Sequence, residues 1–166
     1  MKNLFWDTME TERGTLWLCV DHREQVYTVR FGKGTHTESG FQWTAANGRC
    51  DFLKKQLYEY FIKQRTGFDL EYVLNGTDFQ RQVWQALLTV PYGQIISYSK
   101  LAEVIGNPYS YRAVGNAAGA NPIAIIVPCH RIIRSSGALG GYAGGVETKR
   151  YLLRLEGSYS DDNVSF

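Results

Sequence analysis

Residues 77–88 read TDFQRQVWQALL. Thr77, with Gln80 three residues on, is a T-x-x-Q capping box. The hydroxyl accepts the Gln80 backbone N–H and the glutamine side chain returns to the Thr77 N–H. Behind it, Val83, Trp84, Leu87 and Leu88 recur at helical spacing, so a helix begins here and opens the second half of the chain. Pro91-Tyr92-Gly93 ends it. Ser97 then caps a second helix bearing Leu101, Ala102, Val104 and Ile105, which breaks at Gly106-Asn107-Pro108. A third helix, from about Tyr109 to Gly119, carries the small residues Ala113, Gly115, Ala117 and Ala118. Two short helices joined by a tight turn point to a helix-turn-helix. Small residues on the second let its backbone approach a partner closely, although close helix–helix packing is, on these residues alone, the better account of them.

Further downstream, Ile123–Val127 is a continuous apolar run, suited to a buried extended segment, and it ends at Pro128-Cys129-His130-Arg131. Glycines 137, 140, 141, 144 and 145 then mark a loop in which the backbone bends sharply or touches a ligand. A last helix runs from about Val146 to Leu155 with Tyr151, Leu152 and Leu155 on its apolar face, and residues 159–166 are expected to form a flexible tail. Upstream, Thr15–Val20 and Gln25–Phe31 are rich in β-branched and aromatic residues, and the polar Asp21–Glu24 between them predicts a hairpin. Gly32–Gly40 is a loop. Residues 49–65 place Phe52, Leu53, Leu57, Tyr60 and Phe61 at helical spacing, with Gly67 as the stop. Residues 68–76 form an extended connector. The expected organisation is an α/β domain over 1–72, with a small antiparallel sheet and a helix, then a mainly helical domain over 77–158.

The whole-chain numbers agree with that division. A chain of 166 residues suits one ordinary domain or two small ones. Hydrophobic residues at 44% and charged residues at 20% exclude a mainly disordered or collagen-like chain. No apolar run approaches the roughly 18 residues of a membrane span, so no membrane partner is expected. The first ten residues lack the apolar core of a signal peptide. Cys19, Cys50 and Cys129 are odd in number, scattered and free of any C-x-x-C, which argues for a reduced, cytoplasmic setting. Net charge is only +2, but it is unevenly spread. Residues 1–77 balance, whereas residues 79–160 carry eight Lys/Arg against three Glu. A basic second half suits a polyanion such as nucleic acid; ordinary surface scatter gives the same excess.

The sharpest local feature is Cys129 beside His130 at the end of a buried segment. A free thiol, with a pKa of about 8.5, is mostly protonated at neutral pH. To act as a nucleophile it needs a base or a positive field, and His130, Arg131 or a helix N-terminus can supply one. A buried structural cysteine is the alternative. So is zinc, but adjacent Cys and His side chains diverge, and the Cys19/His22 pair also lacks further ligands, so no metal is expected.

On these residues the second half resembles the active-site domain of the O6-alkylguanine-DNA alkyltransferases, the methylated-DNA–protein-cysteine methyltransferases. The matching strings are Gly76-Thr77-Asp78-Phe79-Gln80, Val83-Trp84-Gln85-Ala86-Leu87, Pro91-Tyr92-Gly93, Ser97-Tyr98 and Ile105-Gly106-Asn107-Pro108. They continue through Arg112-Ala113-Val114-Gly115-Asn116-Ala117, Asn121-Pro122 and the signature Val127-Pro128-Cys129-His130-Arg131-Ile132. The stretch 137–145, Lys149 and Leu152-Leu153-Arg154-Leu155-Glu156-Gly157 complete them. Order and spacing agree over about half the chain; residues 1–70 resemble the family's variable N-terminal domain only loosely.

The resemblance implies a ribonuclease H-like first domain, a winged-helix-like second one, and direct, single-turnover repair without a cofactor. Cys129 is then the alkyl acceptor, His130 takes its proton through a water, and Glu156 orients the histidine. Asn121 ties the recognition helix to the active-site segment, and Tyr98 helps rotate the nucleotide and donates to the departing guanine. The implied partner is double-stranded DNA containing O6-alkylguanine, and also O4-alkylthymine, bound by a monomer through the minor groove. Arg112 fills the stack after base extrusion, and Ala113, Gly115, Asn116, Arg134 and Ser135 contact DNA. Tyr142, Ala143, Ile132 and Lys149 wall the pocket, with the Val127, Cys129 and Ile132 carbonyls facing the exocyclic amine of the base. Ala143 departs from members with serine there, which leaves only the backbone donor. A lesion-binding protein without transfer and a thiol hydrolase acting through Cys129 are the rival readings. Cys129 itself argues against the former, whose members carry tryptophan at that position.

Overall fold

The computed structural model describes residues 1–34, 36 and 38–160, which form two compact units. The first comprises Met1–Asn75 with Pro122–Ala124; the second comprises Gly76–Asn121 and the residues from Ile125 onward.

In the first unit, β1 (Lys2–Thr11), β2 (Gly14–Val20), β3 (Val26–Phe31) and β4 (Phe41–Ala45) form a sheet of order β3-β2-β1-β4. The β2–β3 hairpin is the expected one, with Val26 as the first residue of its second strand. The sheet is mixed rather than antiparallel: β1 runs antiparallel to β2 but parallel to β4, in register Leu4 with Trp43. A parallel neighbour needs a crossover, which falls between β3 and β4. Neither β1 nor β4 is foreseen in the sequence: Asn3, Asp7 and Glu10 interrupt the alternation of β1, and β4, at five residues, gives only a short signal. Helix α1 (Asp51–Phe61) is shorter than the predicted 49–65 and buries Leu53, Leu57 and Tyr60. Its chain turns at Lys63, whose φ of 60° lies in the left-handed region that ends a helix.

The segment 122–124, read from sequence as part of the second domain, clusters instead with the first. Val29 donates to the Pro122 carbonyl at 3.0 Å and Ala124 donates to the Val29 carbonyl at 2.7 Å, so this stretch pairs with β3. The apolar run 123–127 is buried as expected. It does not stay extended, because Ile125 takes a φ of 72°. A β-branched residue there is a strained outlier that the surroundings must hold in place.

The second unit holds α2 (Asp78–Leu87), β5 (Ile96–Ser97), α3 (Tyr98–Val104), α4 (Tyr111–Gly119), a single 3₁₀ turn (Cys129–Arg131), β6 (Ile132–Ile133) and α5 (Val146–Leu155). The Thr77 capping box forms in both directions, and the Ser97 hydroxyl accepts from the Lys100 N–H. Val83, Trp84 and Leu87 of α2 are buried, and the Trp84 indole N–H donates to the Ala117 carbonyl of α4 at 2.8 Å. The small residues Ala117 and Ala118 are buried, so part of the small face serves helix packing, while Arg112, Ala113 and Asn116 are exposed on the other side. Strands β5 and β6 pair in parallel and set the start of α3 beside the turn that carries Cys129. Residues 161–166, most of the expected tail, lie outside the described residues. Among the described residues, no helix is long and apolar enough to cross a membrane.

Removing the Thr77 hydroxyl leaves the Gln80 N–H, in the first turn of α2, without its acceptor, while the Thr77 N–H keeps its bond to the Gln80 side chain. We expect Thr77→Ala to lower unfolding free energy by about 1 kcal/mol, and Thr77→Ser to be nearly neutral, as measured by urea denaturation.

Candidate active site

Glu156 caps the C-terminus of α5 and is 6% exposed. Its Oε1 lies 2.7 Å from His130 Nε2, and Arg131 reaches it with two donors, Nε to Oε2 and Nη2 to Oε1, both at 2.9 Å. The third Arg131 donor, Nη1, goes to the Val90 carbonyl at 2.6 Å, just before the Pro91-Tyr92-Gly93 turn. A bidentate guanidinium is the strongest charge-assisted partner a carboxylate has. Burial on its own raises the Glu156 pKa, but the His130 and Arg131 hydrogen bonds and charges overcome it and hold the group at about 2. An ionised carboxylate only accepts, so His130 Nε2 carries the ring proton and donates. Nδ1 is therefore the basic atom, and it is buried with no hydrogen-bond partner among the described residues. Burial also pushes the His130 pKa below its ordinary value, against the pull of Glu156, with Arg131 and Lys149 adding to the depression. His130 is thus a neutral base of fixed tautomer.

Cys129 begins the 3₁₀ turn and is 5% exposed. The Asn121 side-chain amide donates both to the Val127 carbonyl at 2.8 Å and to Cys129 Sγ at 3.0 Å. It thereby fastens the end of α4 to the segment that carries the thiol. Burial raises the Cys129 pKa, while the Asn121 hydrogen bond and the Lys149 charge act against that rise. The resting group is a thiol whose proton must leave as it reacts. Lys149 on α5 is fully buried; its Nζ donates to the Gly141 carbonyl at 3.2 Å and lies 5.7 Å from the Tyr98 ring centre. Burial lowers its pKa to about 8, so at neutral pH it still supplies a positive field.

Of these groups Cys129 lies on a pocket of about 760 Å³, whose wall also includes Tyr98, Arg112, Ile132, Tyr142 and Ala143. Gly115, Arg134 and Ser135 also reach it. His130, Glu156, Lys149 and Asn121 stand behind the wall rather than on it, and Ala113 and Asn116 lie on the exposed face of α4. The glycine-rich loop is needed for close approach. A Cβ on Gly140, whose φ is 75°, would lie 2.9 Å from the Tyr98 hydroxyl, and one on Gly115 would meet the same ring at 3.5 Å. Tyr98 is therefore slotted between α4 and the loop.

Sequence reasoning gave Arg131 only a general positive field and missed its clamp on Glu156. It also missed Tyr111, Ser99 and Gly119 on the pocket wall. Arg131 stood in the signature string, but its carboxylate partner lies 25 residues away, and no spacing rule pairs them.

Glu156→Gln leaves the buried Arg131 cation without its counter-charge, and breaking such a pair typically costs about 3–5 kcal/mol. The Glu156 pKa is depressed from an ordinary 4.5 to about 2 in the folded chain. Its contribution is therefore complete above pH 4.5 and drains away as pH falls from 4.5 towards 2. Urea denaturation should show Glu156→Gln well below the parent at pH 7, with the gap narrowing steadily below pH 4.5.

The family described as 6-O-methylguanine DNA methyltransferase, DNA binding domain, matches residues 78–158. A methylated-DNA–protein-cysteine methyltransferase of Methanosarcina barkeri is 52% identical over 154 residues, covering 92% of this chain and 97% of its own. The crystal structure of Mycobacterium tuberculosis O6-methylguanine methyltransferase superposes with a TM-score of 0.83 at 43% identity, covering 95% of this chain and 94% of that one. A structure of the M. tuberculosis protein in complex with DNA gives 0.79 at 42% identity, covering 98% and 97%. With relatives this similar over almost the whole chain, and with the signature cysteine on the pocket wall and its histidine bonded to the distant glutamate, the chain belongs to the methylated-DNA–protein-cysteine methyltransferases.

Proposed function

We propose that this protein repairs DNA by taking the alkyl group of an O6-alkylguanine onto Cys129 Sγ, once per molecule. The observation that carries the reading is a single thiol, on a pocket wall, backed by a neutral His130 whose tautomer Glu156 and Arg131 fix. The thiol proton passes through a water to His130 Nδ1. The sulfur lone pair forms the S–C bond while the C–O6 bond breaks. The electron pair of that bond goes to the guanine, which takes a proton donated from Tyr98 and leaves as the normal base. The imidazolium so formed is stabilised by Glu156, the division of labour used by hydrolytic triads. A hydrolase would release its product because an acyl carbonyl accepts water. S-methylcysteine is a thioether without such a carbon, so the protein is spent.

The target oxygen lies inside a duplex, so the nucleotide must be extruded. Arg112 takes its place in the stack, and Ala113, Gly115, Asn116, Arg134 and Ser135 meet the minor groove. In this reading α3 and α4 are the helix-turn-helix, the second unit is winged-helix-like and the first ribonuclease H-like. Ile132, Tyr142, Ala143 and Lys149 enclose the base. O4-alkylthymine is a second substrate, the active form is a monomer, and its setting is the cytoplasm.

Intact mass measured with excess O6-methylguanine duplex should rise by one methyl per chain and then stop; continued turnover would refute single use. Cys129→Ser should take no label yet still bind the lesion. Cys19→Ser and Cys50→Ser should keep transfer, since burial holds both those thiols at about 12, where they are poor nucleophiles. Arg112→Ala should slow repair of duplex roughly 10–1000-fold more than reaction with free O6-benzylguanine.

A further inference from the structure

The exposed face of α4 is nearly flat along Ala113, Asn116 and Gly119, but large side chains crowd its N-terminal end. Tyr109 is 91% exposed, and Tyr111, on the pocket wall beside Arg112, is 45% exposed. The turn that presents them is tied down: Ser110 N–H donates to the Asn107 carbonyl at 3.0 Å and the Ser110 hydroxyl donates to the same oxygen at 2.6 Å. The Arg112 guanidinium carbon lies 6.0 Å from the centre of the Tyr111 ring, within reach of a cation–π attraction that steadies the side chain assigned to the stack. Neither tyrosine is needed for the core, and nothing in the transfer chemistry uses them.

We propose that Tyr109 and Tyr111 are base-stacking residues, which lie against the bases unstacked when the target nucleotide leaves the duplex. This rests on the DNA-repair reading above. Extrusion exposes two kinds of apolar surface: the flanking bases that lose a neighbour, and the base that loses its partner. A tyrosine offers a flat ring at low conformational cost, and every base has a face to receive it, so such contacts tolerate any sequence around the lesion. Tyr111 stands on the wall that also holds Cys129, so one ring borders the pocket that receives an extruded base. Tyr109 lies two residues further out, across the same turn. The small residues behind them let the helix seat deeply enough for both rings to reach the stack.

The test compares two rates for each variant: transfer from O6-methylguanine in duplex DNA, which requires extrusion, and transfer from free O6-benzylguanine, which does not. The readout is their ratio, so a misfolded fraction, which lowers both rates alike, cancels. We expect Tyr109→Ala and Tyr111→Ala each to lower the ratio by about tenfold and the double variant by about a hundredfold. Tyr109→Phe and Tyr111→Phe, which keep the ring, should hold the ratio near that of the parent. An unchanged ratio in the double alanine variant overturns the proposal and leaves alkyl transfer standing. So does an equal loss in the phenylalanine variants, since the hydroxyl rather than the ring would then matter. A parent protein labelled by neither substrate overturns the repair reading itself, and this proposal with it.

Discussion

The carboxylate of Glu156 is shared between a histidine and an arginine that follow one another in sequence, and the active site depends on that sharing. A buried carboxylate with His130 alone would favour a charged imidazolium and leave a pair that is costly to bury. The Arg131 guanidinium neutralises it first, through two parallel hydrogen bonds. His130 is thereby free to stay neutral, with its proton on Nε2 and its basic Nδ1 turned away from the carboxylate. The same arginine reaches the Val90 carbonyl, so the end of α2, the 3₁₀ turn and the end of α5 close on a single ionic cluster.

Cys129 gains its setting from a second, neutral network. Asn121 spends both amide hydrogens at once, on the Val127 carbonyl and on the sulfur, across a chain reversal in which Ile125 is held at positive φ. Ile125, at a φ of 72°, directly follows the stretch 122–124 that pairs with β3. Lys149 completes the arrangement from α5. Its burial lowers its pKa to about 8, which still leaves a cation at neutral pH to oppose the effect of burial on the thiol. Charge and hydrogen bonding therefore meet the sulfur from two different elements.

Local signals carried much of this. The Thr77 and Ser97 caps, the breaks at Pro91 and Pro108 and the periodicity of Val146–Leu155 are short-range effects, decided within one or two turns of chain, and the helices start and stop close to where those residues put them. The Cys-His pair at the end of a buried run was visible as chemistry because residue type and neighbourhood sufficed. Strands β1 and β4 were not visible. Polar residues break the alternation of β1, β4 is only five residues long, and their pairing is set by a parallel crossover that no local pattern encodes.

By itself the sequence determined the helices of the second unit, the Cys129-His130 pair at the end of a buried run and the resemblance to a family of DNA alkyltransferases, since caps, breaks and signature strings are properties of adjacent residues. Only the tertiary structure decided that Arg131 clamps Glu156, that Asn121 holds the sulfur, that residues 122–124 return to the first unit and that Tyr111 stands on the pocket wall. Each of those joins groups brought together by folding, and a hydrogen bond depends on separations of about 3 Å that sequence spacing does not fix.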